Sequence, residues 1–383
     1  MFAVVATPGK ILVCSAGFGE GHNTAARNLV TALNDVGAGR AEAEFVDILG
    51  VNSPKVYAMM RKGYVTLMNR APRLWAAMYR MFDSESPMDS GVISLLGAER
   101  DAFAALLARE QPAAVVSTYP MYGYMLNEIV KRGGPAGFLR VTVVTDSISI
   151  NSVWHRCGSD FFCVPNEETA EVMRGAGVPA EKLRVLGFPV EPGFASAEKL
   201  PVRPDPAGPE GRRVLYMINA GRKAAPEVVR RLLEIDDIAL TVTVGRDEEM
   251  RGMVEQAIAK RGPTRHPTRV IGWTKEVPAL LASHHLLISK AGGATTQETI
   301  AAGCPMVISQ IAPGQEEGNA QLLVDNHAGV LALTPERIAE TVRGAFTDDA
   351  KVCREWTRNI ARLSRPDAAR DNARFILEQI GIS

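Results

Sequence analysis

The stretch Lys290-Ala-Gly-Gly-Ala-Thr-Thr-Gln-Glu-Thr-Ile-Ala-Ala-Gly-Cys-Pro305 decides how the chain folds. It follows an apolar run, residues 285–289, that has the length expected of a buried parallel strand. The two adjacent glycines predict a sharp turn, and Thr295 or Thr296 is placed to cap a helix over residues 297–302. Because a helix N-terminus presents N–H groups and a positive dipole end, this unit predicts a phosphate-binding edge of an α/β sheet.

A polar segment, Pro313-Gly-Gln-Glu-Glu-Gly-Asn319, follows the next apolar run. Its carboxylates and amides are suitable partners for ribose and hexose hydroxyls. Together the two segments resemble the nucleotide-sugar site of the glycosyltransferase family that contains monogalactosyldiacylglycerol synthase, processive diacylglycerol glucosyltransferases and the peptidoglycan enzyme MurG. Ala291 and Ala294 replace the proline and leucine usual in the lipid synthases, and neither change removes a polar contact.

The resemblance implies a GT-B fold, an α/β architecture in which two Rossmann-like doubly wound domains face each other across a cleft. It also implies that the C-terminal domain binds a UDP-sugar, UDP-glucose or UDP-galactose first among them. The implied donor-binding residues are Gly221, Arg222, Lys223, Trp273, Lys290, Gly292, Gly293, Ala294, Thr295, Glu298, Gln315, Glu316 and Asn319. No paired aspartates lie beside this site, so neither a bound metal nor a cofactor is expected.

The N-terminal half carries a second candidate site at His22. Residues 10–15 predict a buried strand, followed by a glycine-rich loop over residues 16–21 and a helix that starts at His22. α/β folds place ligands at this end of a strand, and the helix dipole favours a neutral imidazole that can accept a proton. The resemblance implies that His22 deprotonates the acceptor hydroxyl, with Asp146 as a second catalytic candidate. A dinucleotide fingerprint with Asp47 as its acid is an alternative interpretation of the glycines.

A basic and aromatic segment over residues 54–90 is the candidate membrane contact. No acidic residue occurs between Asp47 and Asp83, whereas lysines and arginines alternate with methionines and aromatic residues. Short helices of this composition suit an anionic membrane surface, although a core-packing hairpin with a solvated basic face is the alternative. The implied acceptor and membrane residues are Gly21, Arg61, Lys62, Tyr64, Arg73, Trp75, Tyr119 and His155. Ile150 stands where the lipid synthases have histidine, which leaves the identity of the acceptor open.

The composition predicts a two-domain protein without a nucleic-acid partner. The chain has 383 residues with 43 basic and 43 acidic side chains, so it shows no global basic charge. Five dispersed cysteines indicate reduced thiols, and no apolar run reaches the ~18 residues needed to span a bilayer. The predicted parts are an acceptor domain over 1–195, a linker over 196–212, a donor domain over 213–365 and a helix over 366–383 that packs on the first domain. The expected location is the cytoplasm, at the inner face of the membrane.

The activity expected from these features is an inverting transfer of a hexose from a UDP-sugar to a membrane lipid, with diacylglycerol as the first candidate. Three alternatives stay open: a MurG-like transferase acting on a polyprenyl-linked sugar, a UDP-sugar epimerase, and a non-catalytic lipid or nucleotide sensor. An epimerase has no use for the basic aromatic segment. The presence of both His22 and Glu298 speaks against a sensor.

Overall fold

The structure is a computed structural model that describes residues 9–71, 74, 96–208, 211–312, 314 and 316–382. These residues form two compact units. The first unit runs to Pro192 and also contains a short stretch ending at Gly318 and the C-terminal residues from Asp367, and the second consists of Gly193–Ala312 and Asn319–Pro366. Each unit is built on one six-stranded parallel sheet, which confirms the predicted α/β class.

The first sheet has the strand order β2-β1-β3-β4-β5-β6. Its strands are β1 (Gly9–Cys14), β2 (Ala41–Val46), β3 (Ala114–Ser117), β4 (Leu139–Val143), β5 (Phe161–Val164) and β6 (Leu183–Val185). Its helices are α1 (Glu20–Gly37), α2 (Ile48–Asn52), α3 (Pro54–Arg70), α4 (Gly97–Glu110), α5 (Met121–Lys131) and α6 (Glu167–Gly175).

Burial of β1 on both faces explains its apolar sequence. Leu12 and Cys14 belong to the hydrophobic cluster on one face of the sheet, whereas Ile11 and Val13 belong to the cluster on the other. All four are fully buried. A continuous apolar run is typical of a parallel strand that helices cover on both sides.

The second sheet has the order β12-β11-β10-β7-β8-β9. Its strands are β7 (Arg212–Met217), β8 (Ile238–Gly245), β9 (Arg269–Gly272), β10 (Leu286–Lys290), β11 (Met306–Gln310) and β12 (Gly329–Leu331). The remaining helices are α7 (Ala225–Leu232), α8 (Glu248–Arg261), α9 (Val277–Ser283), α10 (Gly293–Ala301), α11 (Glu317–Asp325), α12 (Pro335–Ala345), α13 (Thr347–Leu363) and α14 (Ala368–Gln379). Helix α14 packs on α1 of the first unit.

Each sheet has one place where the strand order reverses. In the first sheet the chain leaves β1 for β2 on one side and continues from β3 to β6 on the other. In the second sheet the corresponding neighbours are β7 and β10. Loops at the carboxyl ends of strands beside such a reversal form a crevice in which open α/β sheets bind ligands. The loops after β1, β3, β7 and β10 are therefore the positions where sites are expected.

The structure corrects one predicted helix start and the extent of one predicted loop. Helix α10 begins at Gly293 with Gly292 as its N-cap and no side-chain cap, so neither Thr295 nor Thr296 caps it. Gly292 has an extended backbone conformation, with φ −67° and ψ 142°, and the helix starts at the next residue. Asn319, predicted in a polar loop, lies in the first turn of α11.

The proline-rich segment predicted as a linker is fastened to the second unit. Arg203 donates hydrogen bonds to the carbonyls of Gly303, Ala302 and Leu281 at 2.7, 3.1 and 3.1 Å. The carbonyl of Pro204 lies 2.9 Å from His285 Nε2. Since Ala302 and Gly303 follow α10, Arg203 satisfies carbonyls at the C-terminal end of that helix.

All five cysteines are buried and free, as their dispersed spacing predicted. Burial raises the pKa of the Cys14, Cys163, Cys304 and Cys353 thiols, so these side chains are neutral packing groups. Within the described part of the chain, no helix combines the length and the apolar character needed to cross a bilayer.

Candidate active site

The reversal point of the first sheet holds His22. His22 lies in the first turn of α1, and only 6% of it is exposed. Thr118, which follows β3, donates a hydroxyl hydrogen bond to the His22 carbonyl at 3.1 Å. Thr145, which follows β4, places its Oγ1 2.6 Å from His22 Nδ1. Residues at the carboxyl ends of β3 and β4 therefore hold His22, which itself follows β1.

Burial keeps the His22 imidazole neutral. Desolvation lowers the pKa of His22 to about 4, and a hydrogen bond between the imidazole and the Thr118 backbone opposes this shift only in part. At neutral pH the ring is uncharged and has one nitrogen lone pair that can accept a proton. The main cause of the lowered pKa is burial, whereas the sequence pattern had indicated the helix dipole as the cause.

Aromatic rings enclose the imidazole. The ring of Tyr119 meets that of His22 edge-on at 5.2 Å, and the Trp154 ring lies 5.9 Å away. Phe18 stacks on Tyr119 at 5.9 Å and meets Tyr57 edge-on at 5.4 Å. Tyr57 belongs to α3. These rings form an apolar wall beside the histidine.

The glycine-rich loop after β1 is anchored by two tyrosines. The Tyr57 hydroxyl accepts a hydrogen bond from the Gly17 N–H group. The Tyr122 hydroxyl donates to the Ser15 carbonyl at 2.7 Å. Because α3 supplies Tyr57, the helix that carries the basic face also holds the loop that leads to His22.

Asp146 is paired with Trp154 and not with His22. Its Oδ2 accepts a hydrogen bond from the indole Nε1 at 2.8 Å. Burial raises the pKa of Asp146 to about 6, although the Trp154 bond lowers it. Asp146 therefore holds the Trp154 ring beside His22, while Thr145 contacts the imidazole nitrogen. Sequence reasoning passed over Thr145, because a threonine at a strand end carries no signal of its own.

The other predicted acceptor residues do not all gather around His22. Gly21 lies beside it in α1, and Tyr119 packs on it. His155, by contrast, lines a surface cavity together with Arg156 and Lys182.

The predicted membrane residues lie on α3 or beyond it. Arg61 pairs with Glu20 at 2.7 Å, and Lys62 is exposed. For Tyr64 only the backbone is described. The predictions for Arg73 and Trp75 lie outside the described residues.

The reversal point of the second sheet holds the glycine turn. Strand β10 leads through Ala291 to Gly292, where α10 starts. The first N–H groups of the helix, at residues 293–295, have no partner within an α-helix and lie at its positive end. Asn319 donates from Nδ2 to the Ala291 carbonyl at 3.2 Å, so α11 holds the turn in place.

Two buried oxygens at this turn have no hydrogen-bond partner among the described residues. They are Oγ1 of Thr296 and Oδ1 of Asn319, in side chains that are 0% and 2% exposed. Leaving such an atom unpaired costs about 1–3 kcal/mol, so a ligand or water that pairs with it is favoured. A hydroxyl can donate to a phosphate oxygen, and an amide oxygen can accept from a sugar hydroxyl.

Two predicted donor residues already have partners within the protein. Arg222 forms ion pairs with Asp247 and, at 2.8 Å, with Glu249. Two carboxylates therefore lie beside the Arg222 guanidinium. Trp273 is 56% exposed, and the Arg246 guanidinium lies 5.0 Å from its ring centroid.

The remaining predicted donor-binding residues lie on several elements of the second unit or next to it in sequence. Gly221 follows β7 with a φ of 70°, which glycine adopts without strain, and Lys223 is exposed nearby. Lys290 ends β10, whereas Ala294, Thr295 and Glu298 lie in α10. Glu316 is buried, and Gln315 lies outside the described residues. Asp47, the acid of the dinucleotide alternative, instead caps α2 by accepting the Gly50 N–H bond at 2.9 Å.

Family profiles match both units of the chain. The profile "Monogalactosyldiacylglycerol (MGDG) synthase" matches residues 22–190. The profile "Glycosyltransferase family 28 C-terminal domain" matches residues 220–370. His22 is thus the first residue of the first match, and the glycine turn lies inside the second.

Individual relatives match along almost the whole chain. The chloroplastic monogalactosyldiacylglycerol synthase of Spinacia oleracea is 24% identical over 376 residues, which cover 94% of this chain and 71% of the relative. A processive diacylglycerol beta-glucosyltransferase of Bacillus cytotoxicus is 22% identical over 375 residues, which cover 97% and 94%. Among solved structures, Acinetobacter baumannii MurG has a TM-score of 0.64 at 14% identity and covers 97% of this chain and 100% of its own.

The two parallel sheets, the two profile matches and the shared fold point to one assignment. The chain is a hexosyltransferase of GT-B fold and belongs to the glycosyltransferase family that contains the monogalactosyldiacylglycerol synthases.

Proposed function

We propose that the protein transfers a hexose from a UDP-sugar to a hydroxyl group of a membrane lipid, with inversion at the anomeric carbon. The observation that carries the proposal is the neutral, buried imidazole of His22 at the reversal point of the first sheet. The acceptor oxygen attacks the anomeric carbon while its proton passes to His22. The bond from that carbon to the phosphate oxygen breaks, and UDP leaves with the electron pair. A single displacement inverts the configuration.

In this proposal the second unit binds the UDP-sugar at the glycine turn. The N–H groups of residues 293–295 and the Thr296 hydroxyl receive the diphosphate, where they stabilise the charge that develops on UDP. Asn319 and Glu298 bind sugar or ribose hydroxyls. The names of the two relatives refer to galactosyl and glucosyl transfer, which supports UDP-galactose or UDP-glucose as the donor.

The proposed acceptor is diacylglycerol at an anionic membrane surface. Helix α3 exposes Met59 to 69% and Met60 to 43%, and Lys55 and Lys62 on the same helix are also exposed. Apolar and cationic side chains together favour binding at the boundary between lipid headgroups and acyl chains. The names of the relatives support a diacylglycerol acceptor, and a cytoplasmic, peripheral location follows from the proposal.

The test is an assay of UDP release over a panel of UDP-sugars. Each sugar is supplied with anionic vesicles that contain diacylglycerol, with the same vesicles lacking it, and with no lipid. UDP release that needs diacylglycerol, together with a new glycolipid on chromatography, is the expected result. Nuclear magnetic resonance of the product glycoside reports inversion at the anomeric carbon.

Other results of the same panel would replace the proposal. Conversion of the UDP-sugar without any lipid would establish an epimerase. Release that depends on a polyprenyl-linked sugar and not on diacylglycerol would establish a MurG-like transferase, in keeping with Ile150 at the position of the family histidine. UDP binding without turnover on any acceptor would favour a sensor.

A further inference from the structure

A hydroxyl group, not a carboxylate, contacts Nδ1 of the His22 ring. Thr145 Oγ1 lies 2.6 Å from Nδ1, and Thr145 is only 3% exposed. The adjacent carboxylate, on Asp146, is engaged by the Trp154 indole at 2.8 Å. The partners that orient the ring are therefore uncharged: the Thr145 hydroxyl at Nδ1 and the Thr118 backbone.

The other ring nitrogen, Nε2, lies beside Gly19. A Cβ atom built on Gly19 would lie 3.9 Å from His22 Nε2 and 3.7 Å from Cδ2. Because glycine has no Cβ, residue 19 places no side chain against Nε2. An acceptor hydroxyl can approach the nitrogen from this side.

The two nitrogens must have different protonation states for the ring to act as a base. A neutral imidazole carries its hydrogen on one nitrogen only, and a hydroxyl can either accept from an N–H group or donate to a lone pair. If Nδ1 carries the hydrogen and donates it to Thr145, the lone pair lies on Nε2, the nitrogen beside Gly19. The opposite tautomer would leave Nε2 unable to accept a proton.

We propose that Thr145 is a positioning residue that keeps His22 in the Nδ1–H tautomer, so that Nε2 takes the proton of the acceptor hydroxyl. This inference rests on the proposed function. During transfer the O–H bond of the acceptor breaks and an N–H bond forms at Nε2. The Nδ1–H bond to Thr145 is the same before and after, so the ring need not turn.

A threonine in this place orients the ring without making it more basic. A carboxylate would stabilise the imidazolium ion, whereas a hydroxyl carries no charge. The ionisable groups around the ring are Tyr119 and Asp146 on the strand loops and Glu20 on its own helix. Glu20 is exposed and paired with Arg61, and Asp146 is directed to Trp154. Thr145 is therefore the position from which the protonation of His22 can be changed.

The direct test observes the tautomer in the protein without substrates. Long-range proton–nitrogen correlation spectra of protein labelled with ¹⁵N-histidine distinguish the two forms. The wild type is expected to show the Nδ1–H form at His22, assigned by its loss in His22→Ala. Thr145→Ser should preserve it, and Thr145→Val should produce a mixture of tautomers. A wild-type ring in the Nε2–H form, or an unchanged spectrum in Thr145→Val, would overturn the inference.

Steady-state kinetics supply the second test. Thr145→Val should lower kcat about tenfold with little change in KM for the UDP-sugar, because one oriented hydrogen bond is lost. Thr145→Ser should restore most of the activity. Thr145→Asp should raise the pKa of His22 and move the acid limb of the pH profile of kcat/KM to higher pH. An unchanged profile in Thr145→Asp, or equal losses in the Val and Ser variants, would reduce Thr145 to a packing residue.

A matched control separates orientation from folding. Thr243→Val makes the same change at a buried threonine of β8 in the second unit. This variant should keep the His22 tautomer and the wild-type kcat. If the wild type transfers no sugar to any acceptor, the proposed function fails, whereas the tautomer spectra still decide the role of Thr145.

Discussion

The reversal points of the two sheets lie at equivalent places and are built from different chemistry. At the first, buried threonines after β3 and β4 contact His22, and burial lowers its pKa. At the second, the binding groups are helix N–H groups and two unpaired oxygens beside the glycine turn. A group that exchanges protons needs its protonation state set by its surroundings. A diphosphate needs only hydrogen-bond donors at a positive helix end.

The largest effect is expected from removing the base. His22→Ala should lower kcat by about 10²–10⁴-fold, the usual contribution of a positioned general base. UDP binding, measured by calorimetry, should be unchanged, because the proposed donor residues belong to the other reversal point. His327→Asn is the control, since His327 is an exposed histidine in a left-handed turn that asparagine also tolerates. Full activity in His22→Ala would show that the first reversal point does not supply the base.

The second prediction concerns stability in acid. Burial lowers the pKa of His284 to about 4, so the unfolded chain binds its proton first as the pH falls. Stability from this group is complete above about pH 6.5 and is lost towards pH 4, by about 2–3 kcal/mol at pH 4.5. His22, whose pKa is also lowered, contributes to the same loss of protein stability in acid. Asp146 has a pKa raised to about 6, so its contribution to the stability of the protein increases as the pH falls and offsets part of the loss.

Urea unfolding at pH 7.0 and 4.5 measures this difference. His284→Gln should be less stable than the wild type at pH 7.0, because Nδ1 contacts the Leu280 carbonyl at 2.6 Å and Nε2 contacts the Thr241 hydroxyl at 2.9 Å. The variant should lose less stability between the two pH values. An equal loss in both proteins would show that His284 does not set the acid limit.

A smaller effect is expected from adding a methyl group at position 19, beside His22 Nε2. Gly19→Ala should lower kcat/KM for the acceptor by roughly 10- to 100-fold, because the new methyl group lies against Nε2 and displaces the acceptor. Gly39→Ala is the matched control: Gly39 also has a positive φ, of 81°, but a Cβ there meets no atom within 4 Å. Equal losses in the two variants would assign the effect to backbone strain.

The smallest effect tests the second reversal point. Thr296→Val should weaken UDP binding about tenfold if the buried hydroxyl bonds the diphosphate. The same change should leave the protein as stable or more stable without ligand, because Oγ1 has no partner among the described residues. Thr299→Val is the comparison, since its hydroxyl donates to the Thr295 carbonyl at 2.7 Å within the helix. Unchanged UDP affinity in Thr296→Val would exclude this hydroxyl from the donor site.

Much of the fold was readable from local pattern. Apolar runs followed by glycine turns identified β1 and β10, because a parallel strand covered on both faces must be apolar throughout. The same patterns placed His22 and the glycine turn at strand ends. The start of α10 differs from the prediction because no side chain caps the helix at Thr295 or Thr296. The polar segment 313–319 did not indicate that α11 begins within it.

Local sequence patterns predict the parallel strands, a histidine after β1 and a helix N-terminus after β10, since each depends on neighbouring residues. The surroundings of these groups depend on residues that are distant along the chain. Thr145 contacts His22 across 123 positions of the chain, and Asp146 turns instead to Trp154. Arg222 likewise pairs with Asp247 and Glu249, at the start of α8. Protonation and free charge depend on burial and on distant partners, which pattern along the chain does not encode.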